Sequence, residues 1–147
     1  MWIRTLDMDE CVEVLEANRL GRLACAHDDQ PYLVPFHYAY ADGHLYAFSQ
    51  PGKKVEWMRA NPKVAVLVED QAEGREWRSV IVEGRFEELP DRIGHKRERE
   101  YARTLLSRHA DWWEPGAHKP VPEQARMGYV FFRISADRLS GREGKAG

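Results

Sequence analysis

The sequence predicts a mainly β (α+β) fold: an antiparallel, closed or nearly closed barrel of about six strands with short flanking helices. Three observations lead there. Strand-like runs recur at 22–27, 32–39, 44–49, 64–68, 77–88 and 127–135, with β-branched and aromatic residues prominent in 32–39. Turn signals join several neighbouring runs, as antiparallel hairpins require. Strands and helices do not alternate regularly and no G-x-G-x-x-G occurs, which argues against a Rossmann-type parallel sheet.

In chain order, Asp7 with Glu10 three residues later reads as a capping box. Cys11, Val12, Val14 and Leu15 then recur at helical spacing to about Ala17, and Gly21 is expected to end that helix. The 22–27 strand leads through Asp28-Asp29-Gln30-Pro31, a turn by composition. Pro35 interrupts the next strand, removing one ladder donor and implying an edge or an irregularity. Asp42-Gly43 is a hairpin signal before His44–Ser49. The period changes over Lys53–Ala60, where Val55 and Met58 share a helix face, and Asn61-Pro62 stops it. Val64–Val68 has no polar interruption and is expected to be buried on both faces. Trp77–Glu88 is the longest strand, and Gly84 inside it marks a bulge or a close backbone approach. A charged helix follows Pro90-Asp91 to about Ser107, then an irregular stretch over 111–122, then a closing strand over 127–135.

Residues 1–140 are expected to form a single domain of the 147-residue chain, with 141–147 a frayed tail. A hydrophobic content of 43% and a charged content of 31% are ordinary for a globular protein. The net charge of −2 gives no basic surplus for nucleic acid or a membrane surface, so any polyanion site must be local. Cys11 and Cys25 lack metal or redox spacing and read as free buried thiols. No secretory leader or membrane-length apolar run is visible, and a cytoplasmic location is expected.

The segment richest in chemistry is Ser49-Gln-Pro-Gly-Lys-Lys54. A hydroxyl at a strand end is followed by a tight turn and two cations at a helix start. A phosphate monoester seeks those groups: charge-assisted donors and free helix N-terminal amides. Arg78 and Ser79, at the start of the long strand, are further candidate donors.

The ordered motifs V-P-F-H-Y, G-H-L-Y-A-F-S, G-K-K, N-P-K-V and W-R-S-V-I-V-E-G-R resemble the FMN-binding split barrels related to pyridoxamine 5'-phosphate oxidase, especially the short nitroimidazole-resistance reductases. The resemblance is good over roughly 7–90 and looser beyond. It implies an antiparallel split β-barrel with FMN as cofactor. Val34, Pro35, Phe36 and His37 would line the isoalloxazine, mainly through backbone groups. Phe48 and Ser49 would flank the ribityl phosphate, Lys53 and Lys54 would bind the phosphate, and Ser79 would contact the flavin. It also implies a homodimer with flavin at the interface, covered by Trp112 or, as the preferred candidate, Trp113 of the second chain. The Arg- and His-containing C-terminal segment of true pyridoxamine phosphate oxidases is missing, so that reaction is not expected.

The expected function is an FMN-dependent oxidoreductase passing electrons from NADH or NADPH to a small organic acceptor, with His37 the candidate proton donor. Alternatives are a non-catalytic flavin storage or sensing module, or the same barrel using a deazaflavin or a haem held by His109 or His118.

Overall fold

The computed structural model describes residues 2–71, 76–90, 92–109 and 129–146. Among the described residues nine strands, not about six, form one antiparallel sheet that does not close. In chain order the elements are β1 (Trp2–Thr5), α1 (Met8–Ala17), β2 (Leu20–His27), β3 (Gln30–His37), β4 (Ala39–Ala41), β5 (His44–Ser49), α2 (Lys53–Ala60), β6 (Lys63–Gln71), β7 (Trp77–Glu88), a 3-10 turn (Ile93–His95), α3 (Lys96–His109), β8 (Val130–Ser135) and β9 (Arg138–Lys145). The strand order is β3-β2-β6-β7-β8-β5-β4, with β9 also on β7 and β1 outside β9. No helix among the described residues is long and apolar enough to cross a membrane.

The capping box forms as predicted: Glu10 N–H donates to Asp7 Oδ1 at 2.9 Å, and Asp7 N–H donates to Glu10 Oε1 at 3.1 Å. The helix stops at Ala17, not through Gly21, because Asn18 turns extended and its amide donates to Val14 O and Asp70 Oδ2. Gly21 lies inside β2, where a Cβ would come within 3.0 Å of the Phe36 ring. Both two-residue hairpins place their central residues at positive φ, Asp28-Asp29 after β2 and Asp42-Gly43 after β4.

The β6 strand alternates: Val64, Val66 and Val68 are buried while Ala65 and Leu67 are partly exposed. The expectation of burial on both faces therefore fails, since small and aliphatic residues fill an outer face that this chain alone does not cover.

The long β7 changes partners midway. Trp77–Glu83 pairs with β9 and Phe86–Glu88 with β8, while β6 runs along the other edge. Gly84 sits at the changeover, where a Cβ would fall 1.7 Å from Ser135 O. The close approach inferred from sequence is real and involves backbone.

Residues 141–145 are strand, not the expected tail. Their polar, glycine-containing sequence hides a strand whose glycines pack beneath side chains, Gly141 under Cys11 and Gly144 under Trp77. Buried Glu143 accepts from Arg4 Nε at 3.1 Å, which ties β9 to β1. The main core gathers Leu15, Leu23, Tyr38, Met58, Val66 and Val82 between sheet and helices. A second core, with Leu89, Ala102, Leu106 and Phe131, seats α3.

Candidate functional site

The site is a split between two strands that would otherwise pair. Residues Ala39–Ala41 of β4 pair with His44–Tyr46 of β5. Continuing that register would set His37 opposite Phe48 and Phe36 opposite Ser49. Instead the strands part, because β3 is drawn to β2, with His37 beside Leu20 and Phe36 beside Gly21. Tyr38 holds the fork. Its N–H donates to Arg19 O at 2.8 Å, and its fully buried hydroxyl donates to Leu15 O at 2.8 Å. Burial pushes that phenol well above its ordinary pKa, so it stays a neutral donor.

Among the described residues, β3 pairs with β2 alone, and Ala47–Ser49 pair only with β8. Both walls of the split therefore present strand edges that no other described strand pairs with. Pro35, exposed on β3, contributes a carbonyl but no N–H to that wall.

The α2 helix stands at the mouth. Only Gln50-Pro51-Gly52 separate it from β5, yet it packs across β2 and the start of β3: Asn61 Nδ2 donates to Ala26 O at 3.1 Å, and Trp57 meets the Tyr32 ring at 5.6 Å. No side chain caps the helix at Gly52, and a Cβ there would meet open space. Lys54 is half-buried near Cys25, and desolvation lowers its pKa. Among the described residues neither Lys53 nor Lys54 has a carboxylate within salt-bridge distance. A half-buried ammonium beside uncapped helix amides suits a phosphate, whose charge would offset that desolvation.

The register thus places Val34–His37 and Phe48–Ser49 on the two diverging strands, and Lys53–Lys54 begin the helix that follows β5. Their side chains divide unevenly. Phe36 is buried and stacks on Tyr38 at 5.7 Å, so only its backbone reaches the split. The Phe48 ring turns away, stacking on Phe131 at 5.6 Å in the α3 core. Ser49 donates to Gln50 O at 2.8 Å, and His37 is buried at the end of β3.

Ser79 stands apart. Ala24, Ala65 and Glu83 form one row across the sheet, and Ser79 lies four residues from Glu83, away from Cys25. That is on the order of 13 Å along the strand. Arg78 is not available as a donor, because its guanidinium is engaged by Asp70 at 3.1 and 2.8 Å. Trp112, Trp113 and His118 lie outside the described residues, and His109 ends α3. Among the described residues no group of three His, Cys, Asp or Glu side chains is placed to hold a metal ion.

Sequence reading missed Tyr32 and Trp57. The Lys53 ammonium sits 4.7 Å from the Tyr32 ring centroid and 4.6 Å from that of Trp57. The four-residue spacing of Lys53 and Trp57 on one helix was the available signal.

Comparison with known proteins places this architecture. The family described as Pyridoxamine 5'-phosphate oxidase matches over residues 7–143. The chain belongs to that family. It is 45% identical to the uncharacterized protein RA0666 of Rhizobium meliloti, over 100% of this chain and 99% of that one. It is also similar to a crystal structure of an FAD-binding protein from Mesorhizobium loti, with 58% identity, a TM-score of 0.84, and coverage of 99% and 100% of the two chains. An FAD-binding protein of Mycobacterium smegmatis shares the fold at 19% identity, with a TM-score of 0.69 over 97% and 100% of the chains.

Proposed function

We propose that the chain is a flavoprotein that holds the FMN unit of a flavin nucleotide in the β3–β5 split, its phosphate at the start of α2. The observation carrying this reading is the parting of β3 from β5, together with a half-buried lysine at the start of α2 that has no carboxylate partner among the described residues. Lys54 and the uncapped amides of α2 take the phosphate, and the backbone of Val34–His37 lines the ring. Membership of the family and the flavin named for the Mesorhizobium loti relative agree with this chemistry.

The bound flavin would supply two-electron transfer from NADH or NADPH to a small organic acceptor. Buried His37 would then hold a proton at the ring end of the split. Mixing flavin-loaded protein with NADH and with NADPH without air tests the enzymatic part. Bleaching by one of them is expected, whereas no reduction by either would identify a flavin carrier.

A second copy of the chain completes the site in this reading. Leu33 (66% exposed) and Ile81 (47% exposed) lie on the same outer face of the sheet as Ala24, Ala65 and Ser79. A groove of about 590 Å³, floored by Ala24, Ala26, Pro31 and Ala65, crosses that face. Docking of two such faces would carry Ser79 of one copy toward β3 of the other, a meeting the single chain does not provide. Ile81→Lys is therefore expected to turn a dimer into a monomer in size-exclusion chromatography with light scattering, and to weaken flavin binding roughly tenfold or more. A dimer that persists with unchanged affinity would move the interface elsewhere.

A further inference from the structure

We infer that Lys63, Arg85 and Arg138 form a binding site for a small organic monoanion, a carboxylate on an apolar body, at one end of the groove on the outer sheet face. The inference is independent of the flavin proposed for the split. Lys63 of β6 stands directly opposite Arg85 of β7, and both side chains line the groove. Elsewhere in the sheet, charges set opposite one another are complementary and joined. Arg4 meets Glu143 at 3.0 Å, Asp70 meets Arg78 at 2.8 Å, and Glu87 meets Arg133 at 2.9 Å. Among the described register pairs only Lys63 and Arg85 oppose like charges, an arrangement that costs stability. Arg138 of β9, in the next row, stands opposite Glu83 without bridging to it. Among the described residues none of the three cations has a carboxylate within salt-bridge distance. An anion held among them removes the repulsion that the strand register imposes.

The groove supplies the rest of the site. Its volume of about 590 Å³ suits a small molecule, and its floor is made of small apolar residues, Ala24 and Ala65 side by side with Ala26 beyond. A flat apolar body can lie on that floor with its charged end among the cations. Glu83 and Asp137 line the groove as well, so three cations against two carboxylates leave one positive charge. That balance favours a single carboxylate over a doubly charged phosphate, and the planar guanidinium of Arg85 offers it two parallel donors. Arg85 is four residues from Ile81, on the order of 13 Å along β7, so the cations stand apart from that exposed apolar residue.

Calorimetric titration of the full chain with 2-naphthoate and with its uncharged analogue 2-naphthamide tests this. The wild-type protein is expected to bind the carboxylate about tenfold more tightly than the amide, the scale of one charge-assisted hydrogen bond. Arg85→Gln should remove most of that preference and leave amide binding unchanged, whereas Arg97→Gln on α3 should alter neither. Thermal unfolding adds a readout that a merely structural arginine would not give. Without ligand, Arg85→Gln should raise Tm by relieving Lys63, and naphthoate should raise the Tm of wild type but not of the variant. Equal wild-type affinities for the two probes would overturn the inference, as would a preference kept in full by Arg85→Gln. Binding of neither probe would also overturn it, and a changed oligomeric state of Arg85→Gln would then assign the cations to an interface between copies.

Discussion

Gly84→Ala is expected to destabilise the fold by on the order of 3–5 kcal/mol, a large part of a typical domain's 5–15 kcal/mol. The added methyl would lie 1.7 Å from Ser135 O and 3.3 Å from Ile134 Cγ2. The first obstacle is backbone, so no rotamer change relieves it. Either β7 or β8 must shift, and both are constrained. Phe86 N–H donates to Pro62 O at 2.8 Å just beyond Gly84, and Asp137 N–H donates to Glu83 O at 3.1 Å just before it. Since β8 also carries β5, movement there would disturb the wall of the split. Urea or thermal unfolding measures the loss, with Gly94→Ala as the control, because a Cβ at Gly94 meets open space. Equal stability of Gly84→Ala and wild type would mean that the strands do not cross this closely.

Lys54→Gln is expected to weaken FMN binding by about 1.5–3 kcal/mol, roughly 10–150-fold, and to leave riboflavin binding nearly unchanged. Glutamine retains most of the stem near Cys25 but removes the charge proposed to face the phosphate. Riboflavin has no phosphate and is insensitive to that charge. The matching Lys53→Gln change should affect FMN less, since Lys53 is exposed and already placed over Tyr32 and Trp57. Fluorescence titration with both ligands separates these cases. Equal losses for FMN and riboflavin would place Lys54 away from the phosphate.

Elements whose identity depends on local chemistry were legible in the sequence. The Asp7–Glu10 box, the Asp42-Gly43 turn, β5, α2 and β7 all follow from capping, turn preference and periodicity. β1 and β9 were not legible. β1 is four exposed residues, and β9 is polar with two glycines, so their strand character comes from pairing and from packing under Cys11 and Trp77. Closure was over-read for a related reason: hairpin signals tell which strands are neighbours, not whether the last meets the first.

The site divides along the same line. The anion site proposed for Ser49 to Lys54 is read from residue type and order. The fork at Tyr38 depends on a hydroxyl reaching Leu15 and a backbone bond to Arg19, neither of which has a local signature. Phe48 lies on β5, and its ring is claimed by Phe131 and the α3 core. Arg78 is removed as a ligand by Asp70, its register partner on β6. Ser79 belongs to the outer sheet face, so the contact proposed for it would need a second copy.

The absorption spectrum of the purified protein, with identification of any chromophore released on denaturation, tests the central claim most directly. A yellow protein with oxidised-flavin bands, releasing a phosphorylated flavin, is the expected result. A colourless protein that takes up neither FMN nor FAD on titration would contradict the account.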